Sequence, residues 1–142
     1  MEAPSVETLR IGPLVLRYFV DGAGTAGAVD CFEFTVPPLT KGSPPHYHRE
    51  VDEMVYGVEG RITFTVAGVD RVLGPRDFTF IPRGEVHSFA NNHDQPAVVL
   101  SVMTPALIGP GYFRDMAAVF SAAPPDQAAI RATMLRHGLV PV

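Results

Sequence analysis

The chain has 142 residues, enough for one domain and too few for a second independent one; at this length folding buries roughly two-thirds of the unfolded surface without disulfide staples. Eleven Lys plus Arg against 15 Asp plus Glu leave a net charge of −4 with the five His neutral, which makes nucleic acid a poor partner. The longest apolar runs, such as Leu14 to Leu16 and Ala97 to Leu100, fall far short of the ~20 residues that span a bilayer, so no membrane association is expected.

The start, Met1-Glu2-Ala3-Pro4, lacks a basic segment followed by an apolar one. Cys31 is the only cysteine, so no intrachain disulfide or thiolate zinc cluster can form, and it is expected to be a small buried hydrophobe. These features predict a cytoplasmic protein. All other cations but Lys41 are Arg, in keeping with a GC-rich bacterial genome.

From Leu9 to Met103 short β-like runs alternate with Gly, Pro, Asn and Asp, which predicts an all-β sandwich or barrel. The expected strands are Leu14 to Val20, Val29 to Val36, Asp52 to Val58, Arg61 to Val66, Asp70 to Leu73, Phe78 to Ile81, Val86 to Phe89 and Ala97 to Thr104. Phe32, Phe34 and Val36 alternate with Glu33 and Thr35, and Ile62, Phe64 and Val66 with Arg61, Thr63 and Thr65, the pattern of half-buried strands. Met54, Val55, Tyr56 and Val58 are apolar on both faces, as in a central strand or one covered by a second subunit. Together with the apolar run Leu14 to Val20, that strand predicts a homodimer.

After Pro105 the pattern turns helical: Tyr112 to Ser121 and Asp126 to His137 space Ala, Met and Leu for two short helices, separated by Ala122-Ala123-Pro124-Pro125. His137-Gly138 has the form of a helix end. Residues 1–105 are thus expected to form the β-structure and 106–142 a helical extension of the same domain.

The chemistry concentrates in Pro44-Pro45-His46-Tyr47-His48-Arg49-Glu50-Val51-Asp52-Glu53. In extended chain, residues i and i+2 project to one side, so His46 and His48 face one point, and four intervening residues leave room for a turn that returns Glu53 toward it. His87 follows in Pro82-Arg83-Gly84-Glu85-Val86-His87, another turn feeding a strand. Three imidazoles and a carboxylate suit one divalent transition metal, Fe, Mn, Ni, Co, Cu or Zn, with positions left for a small-molecule substrate. Glu50 and Asp52 read as solvated, His93 as an exposed loop residue and His137 as a helix-end residue. Tyr47 should point away from its His neighbours, and Tyr56 is out of phase with Glu53. Phe34, Phe64, Phe80, Phe89 and Met103 are expected to line an apolar barrel interior.

His46-x-His48, four residues, Glu53, six residues, Gly60, followed by Pro82-x-Gly84-x-x-His87-x-x-x-Asn91, resembles the two motifs of the cupin superfamily, specifically its small quercetin-dioxygenase-like members. The resemblance implies a jelly-roll β-barrel with His46, His48, Glu53 and His87 as metal ligands. It further implies a mononuclear metal-dependent dioxygenase acting on a phenolic or enolic substrate, with Glu53 also serving as the base. Isomerase, cyclase or lyase chemistry without dioxygen, or non-catalytic ligand binding, are the alternatives on the same fold. The sequence departs from the pattern at Thr40 and Arg76, where the family places turn glycines; Gly42 and Gly74 lie two residues away.

Overall fold

The computed structural model describes residues 6–142, so the Met1 to Pro4 start considered above lies outside the described residues. The strands are β1 (Glu7–Ile11), β2 (Leu14–Val20), β3 (Asp30–Val36), β4 (Thr40–Lys41), β5 (His46–His48), β6 (Asp52–Glu59), β7 (Ile62–Val66), β8 (Val69–Leu73), β9 (Phe78–Ile81), β10 (His87–Asn91) and β11 (Ala97–Thr104). Helices α1 (Gly109–Phe120) and α2 (Gln127–Arg136) follow, and strand β12 (Leu139–Pro141) closes the chain. One sheet runs β1-β2-β3-β11-β6-β9; the other runs β12-β5-β10-β7-β8, with β4 also on β10. The two sheets face each other across the core as a jelly-roll β-barrel with two short helices.

Alternation decides which side chains enter the barrel. On β3, Phe32, Phe34 and Val36 are buried, and on β7, Ile62 and Phe64. Burying each such side chain favours folding by about 1.5–3 kcal/mol. The same rule corrects one expectation: Phe80 does not line the interior. Ile81 pairs with the inward Glu53 on β6, so Phe80, opposite Met54, faces out and is 56% exposed. Cys31, out of phase with Phe32, is only half-buried. Within Leu14–Val20, Leu16 and Tyr18 are buried against the core, so that run is no continuous exposed apolar face.

The turns explain the two departures from the motif glycines. Arg76 itself adopts the left-handed conformation with φ 74°, and Leu39, beside Thr40, has φ 53°. The chain therefore keeps both turns without glycine, at a conformational cost. Gly42 has a different role: a Cβ there would lie 2.2 Å from the Phe89 ring, so its backbone packs directly on a wall of the interior.

Asp126 caps α2, its side chain accepting from the Ala128 amide at 2.9 Å, and Gly138 with φ 85° ends it. The chain beyond Gly138 forms β12, which pairs with β5 in the register Leu139 to His48 and Pro141 to His46. The helical hairpin is thereby tied to the strand that carries two of the candidate ligands.

Candidate metal centre

His46 and His48 project from one face of β5, and His87 on β10 sits directly across from His46 in register. All three are buried, and their nitrogens converge within 4.8 Å of one another. The ring centroids are 4.5–5.2 Å apart. Three histidines are therefore positioned to bind a metal.

The backbone fixes how two of the rings present themselves. His46 Nδ1 donates to the Pro44 carbonyl at 2.8 Å, and His87 Nδ1 to the Glu85 carbonyl at 3.0 Å. Both rings then turn Nε2 inward, the atom through which each could hold a metal. His46 Nε2 and His48 Nε2 lie 3.3 Å apart, so their lone pairs repel unless a proton or cation lies between them. His48 Nδ1 is buried without a partner among the described residues. This donor set fits a divalent ion: nitrogen-rich, thiolate-free and with two of its rings held from behind.

Glu53, on β6, brings Oε1 to 3.5 Å from His87 Nε2. Its Oε2 accepts a hydrogen bond from the buried Ser101 hydroxyl on β11. Burial opposes charge on Glu53, but the bond to His87, the neighbouring imidazoles and Ser101 outweigh it and hold the carboxyl down at about 2. Burial pushes His46 down to about 3 and also lowers His48. For His87 burial acts downward too, but Glu53 prevails and raises it.

Both motifs are stapled together. Asp52 accepts from the Arg83 amide at 2.9 Å and from its Nε at 3.1 Å, while Arg83 Nη2 reaches the other carboxylate oxygen at 3.0 Å. The Gly84 amide donates to the His48 carbonyl at 2.8 Å. Asp52 thus holds the turn before His87 rather than orienting an imidazole, and Glu50 is exposed. Tyr47 and Tyr56 are outside the cavity lining; His93 is half-buried, and His137 pairs with Asp115 at 2.8 Å.

The cluster borders an apolar cavity of about 150 Å³. Phe34, Phe64, Phe89 and Met103 line it as expected. Phe89 packs on Phe34 and Phe64 at 5.0 and 5.4 Å between ring centroids. From α1, Tyr112, Phe113, Met116 and Phe120 complete the lining, and Leu139 of β12 adds to it. Sequence reasoning missed Ser101, Tyr112 and Leu139. Ser101 alone left a signal, a lone polar residue at an inward position of an otherwise apolar strand.

The Cupin domain family matches residues 32–103, which include all four candidate ligands and Ser101. Germin-like protein 1-3 of Oryza sativa subsp. japonica is 33% identical over 106 residues, 69% of this chain and 46% of its own length. Quercetin 2,3-dioxygenase of Bacillus subtilis is 34% identical over 71 residues, 50% of this chain and 20% of its own. The matched stretch is thus less than half of either relative. Among solved structures, the polyketide cyclase RemF from Streptomyces resistomycificus superposes with a TM-score of 0.60 at 28% identity, covering 73% of this chain and 77% of that one.

Proposed function

The chain belongs to the cupin superfamily, and from that premise we propose that it is a mononuclear metal-dependent dioxygenase acting on a small phenolic or enolic molecule. The observation that carries the reading is the convergence of His46, His48, His87 and Glu53 at the polar end of an aromatic-lined cavity. His46, His48 and His87 would hold the ion through Nε2, with Glu53 Oε1 as a fourth donor. A bound divalent ion supplies Lewis acidity that lowers the pKa of a substrate hydroxyl. Glu53, its Oε2 anchored by Ser101, would either hold the ion through Oε1 or, released from it, take that hydroxyl's proton there. The phenylalanine walls exclude water and hold a planar ring against the cluster. The match to a quercetin 2,3-dioxygenase supports this reading.

A second reading is supported by the likeness to a polyketide cyclase: the same residues binding an ion for cyclisation or isomerisation without dioxygen. Metal analysis followed by oxygen-uptake assays decides between them. The dioxygenase reading expects about one metal per chain in the wild type, its loss in His87→Ala, and oxygen consumption with a phenolic or enolic substrate. Turnover of such a substrate without oxygen consumption establishes the cyclase or isomerase reading, and a metal-free protein that resists reconstitution overturns both.

The protein is further proposed to be a cytoplasmic homodimer. Met54, Phe78 and Phe80 form an exposed apolar patch on β6 and the edge strand β9, with Met54 opposite Phe80 in register. Phe78 and Phe80 are 60% and 56% exposed, a patch that a second copy would cover. The half-buried free Cys31 suits a reducing compartment.

A further inference from the structure

Tyr112 is the one tyrosine on the cavity lining, although it comes from α1 and lies outside both motifs. It is 5% exposed, and among the described residues its hydroxyl has no hydrogen-bond partner. The hydroxyl of Tyr18 is also buried without a partner, but Tyr18 does not line the cavity, whereas Tyr112 does. A buried hydroxyl without a partner is costly, so such groups are normally satisfied by protein, water or ligand. Its ring is also fixed in place, edge-on to Phe113 at 4.9 Å and to His137 at 5.4 Å. His137 is itself held by Asp115 at 2.8 Å. Burial raises the Tyr112 pKa, so the group remains a donor rather than becoming a base.

The cavity has about the volume at which an apolar cavity takes up benzene, which is room for one ring. Its polar side chains are the His and Glu cluster, Lys41, Ser43 and Tyr112; Lys41 is exposed and Ser43 half-buried, which leaves Tyr112 as the buried hydroxyl of the lining outside the cluster. We propose that Tyr112 is a specificity-determining residue, its O–H donating to a second, neutral oxygen such as a carbonyl on a single-ring phenolic or enolic substrate. This rests on the reading of the cavity as the site for such substrates and names the subclass it prefers. A phenol lacking the acceptor would leave the hydroxyl unpaired, a discrimination that polar groups in dry sites make strongly.

The test uses protein loaded with zinc, which is redox-inert, and calorimetric titration with para-hydroxyacetophenone and its alkyl counterpart para-isopropylphenol. The wild type is expected to bind the ketone about tenfold more tightly than the alkylphenol. In Tyr112→Phe that preference should fall to the level set by the different acidities of the two phenols, with alkylphenol affinity unchanged and a melting temperature equal to or above the wild type. Comparing the preference between the two proteins cancels the acidity difference. A purely structural role would instead lower the melting temperature and weaken both ligands alike. The same preference in both proteins, with normal alkylphenol binding, overturns the role of Tyr112 alone. Failure of either phenol to bind fully zinc-loaded wild type overturns the reading of the cavity together with it.

Discussion

The Ser101 hydroxyl on β11 donates to Glu53 Oε2 on β6, while the other carboxylate oxygen faces His87 at 3.5 Å. The two strands pair in register, Met103 opposite Glu53 and Ser101 opposite Val55, so a diagonal cross-strand contact anchors the carboxylate. Ser101→Ala leaves a buried charge short of one donor and should destabilise chelator-treated protein by about 1.5–3 kcal/mol. Urea unfolding with an unchanged m-value measures it; a loss below about 0.5 kcal/mol would show that the contact does not anchor Glu53.

The pH dependence of the metal-free protein follows from the same cluster. His46 titrates near 3 when folded, against about 6.5 in the unfolded chain. Between these values the unfolded state binds the extra proton, so stability present above pH 6.5 is lost as pH falls toward 3. Each such group contributes a slope of about 1.4 kcal/mol per pH unit. The lowered pKa of His48 adds in the same direction, and Glu53, held at about 2, adds to the loss below pH 4.5. His87 is raised, so its contribution is fully present below the unfolded pKa and is lost only as pH rises through its folded pKa; it offers no compensation in the acid window. Thermal melts from pH 7 to pH 4 should show a steep fall in His46→Gln-sensitive fashion: the variant's curve should be the flatter one.

Arg76 with φ 74° occupies a position where a left-handed turn favours glycine. Arg76→Gly should relieve about 1 kcal/mol of backbone strain, partly offset by the greater freedom of glycine in the unfolded chain. A denaturation midpoint that rises without a change in metal content is the expected result; a fall would mean that the side chain contributes more than the strain costs.

The β-architecture and the convergence of His46, His48 and His87 were legible for a common reason: both are written in local periodicity and spacing. Leu14–Val20, Phe78–Ile81 and Ala97–Thr104 have the bounds expected from their apolar pattern. His46 and His48 share a face because they are two residues apart in a strand. What was not readable depended on pairing between distant segments. The short strands β4 and β12 carry little pattern of their own and exist through partners, Lys41 beside Ala90 and Leu139 beside His48. Tyr112 sits among helical apolar residues, and only the docking of α1 over the barrel turns it toward the cavity. Phe80 was misplaced because β9 has bulky residues on both faces, leaving its phase to be set by Ile81 pairing with Glu53.

The exposed patch around Phe80 gives the homodimer a direct test. Phe80→Lys places a charge at its centre without entering the core, because Phe80 is 56% exposed while its neighbour Thr79 is buried. The expected outcome in light scattering at micromolar concentration is a dimer for the wild type and a monomer of unchanged circular dichroism for the variant. A monomeric wild type would leave the patch without a second copy to cover it.

Strand β12 ties the strand that carries His46 and His48 to the segment after α2. β5 meets β10 in register only at His46 and His87, whereas β12 pairs along all three residues of β5. The Arg49 amide also donates to the Gly138 carbonyl at 3.0 Å, and the Val142 amide to Pro45 at 3.1 Å. Deleting residues 139–142 removes this partner and exposes one edge of the ligand strand, along with the buried Leu139 wall of the cavity. Metal ligands lose affinity when their supporting contacts go, typically 10–100-fold for a single such partner. The truncated protein should therefore retain its β-sheet circular dichroism but bind zinc at least about tenfold more weakly in competition with a chromophoric chelator. Leu139→Ala, which keeps the backbone pairing and removes only the side chain, should weaken zinc binding far less. Equal losses in the two variants would place the effect in core packing rather than in the alignment of His46 and His48.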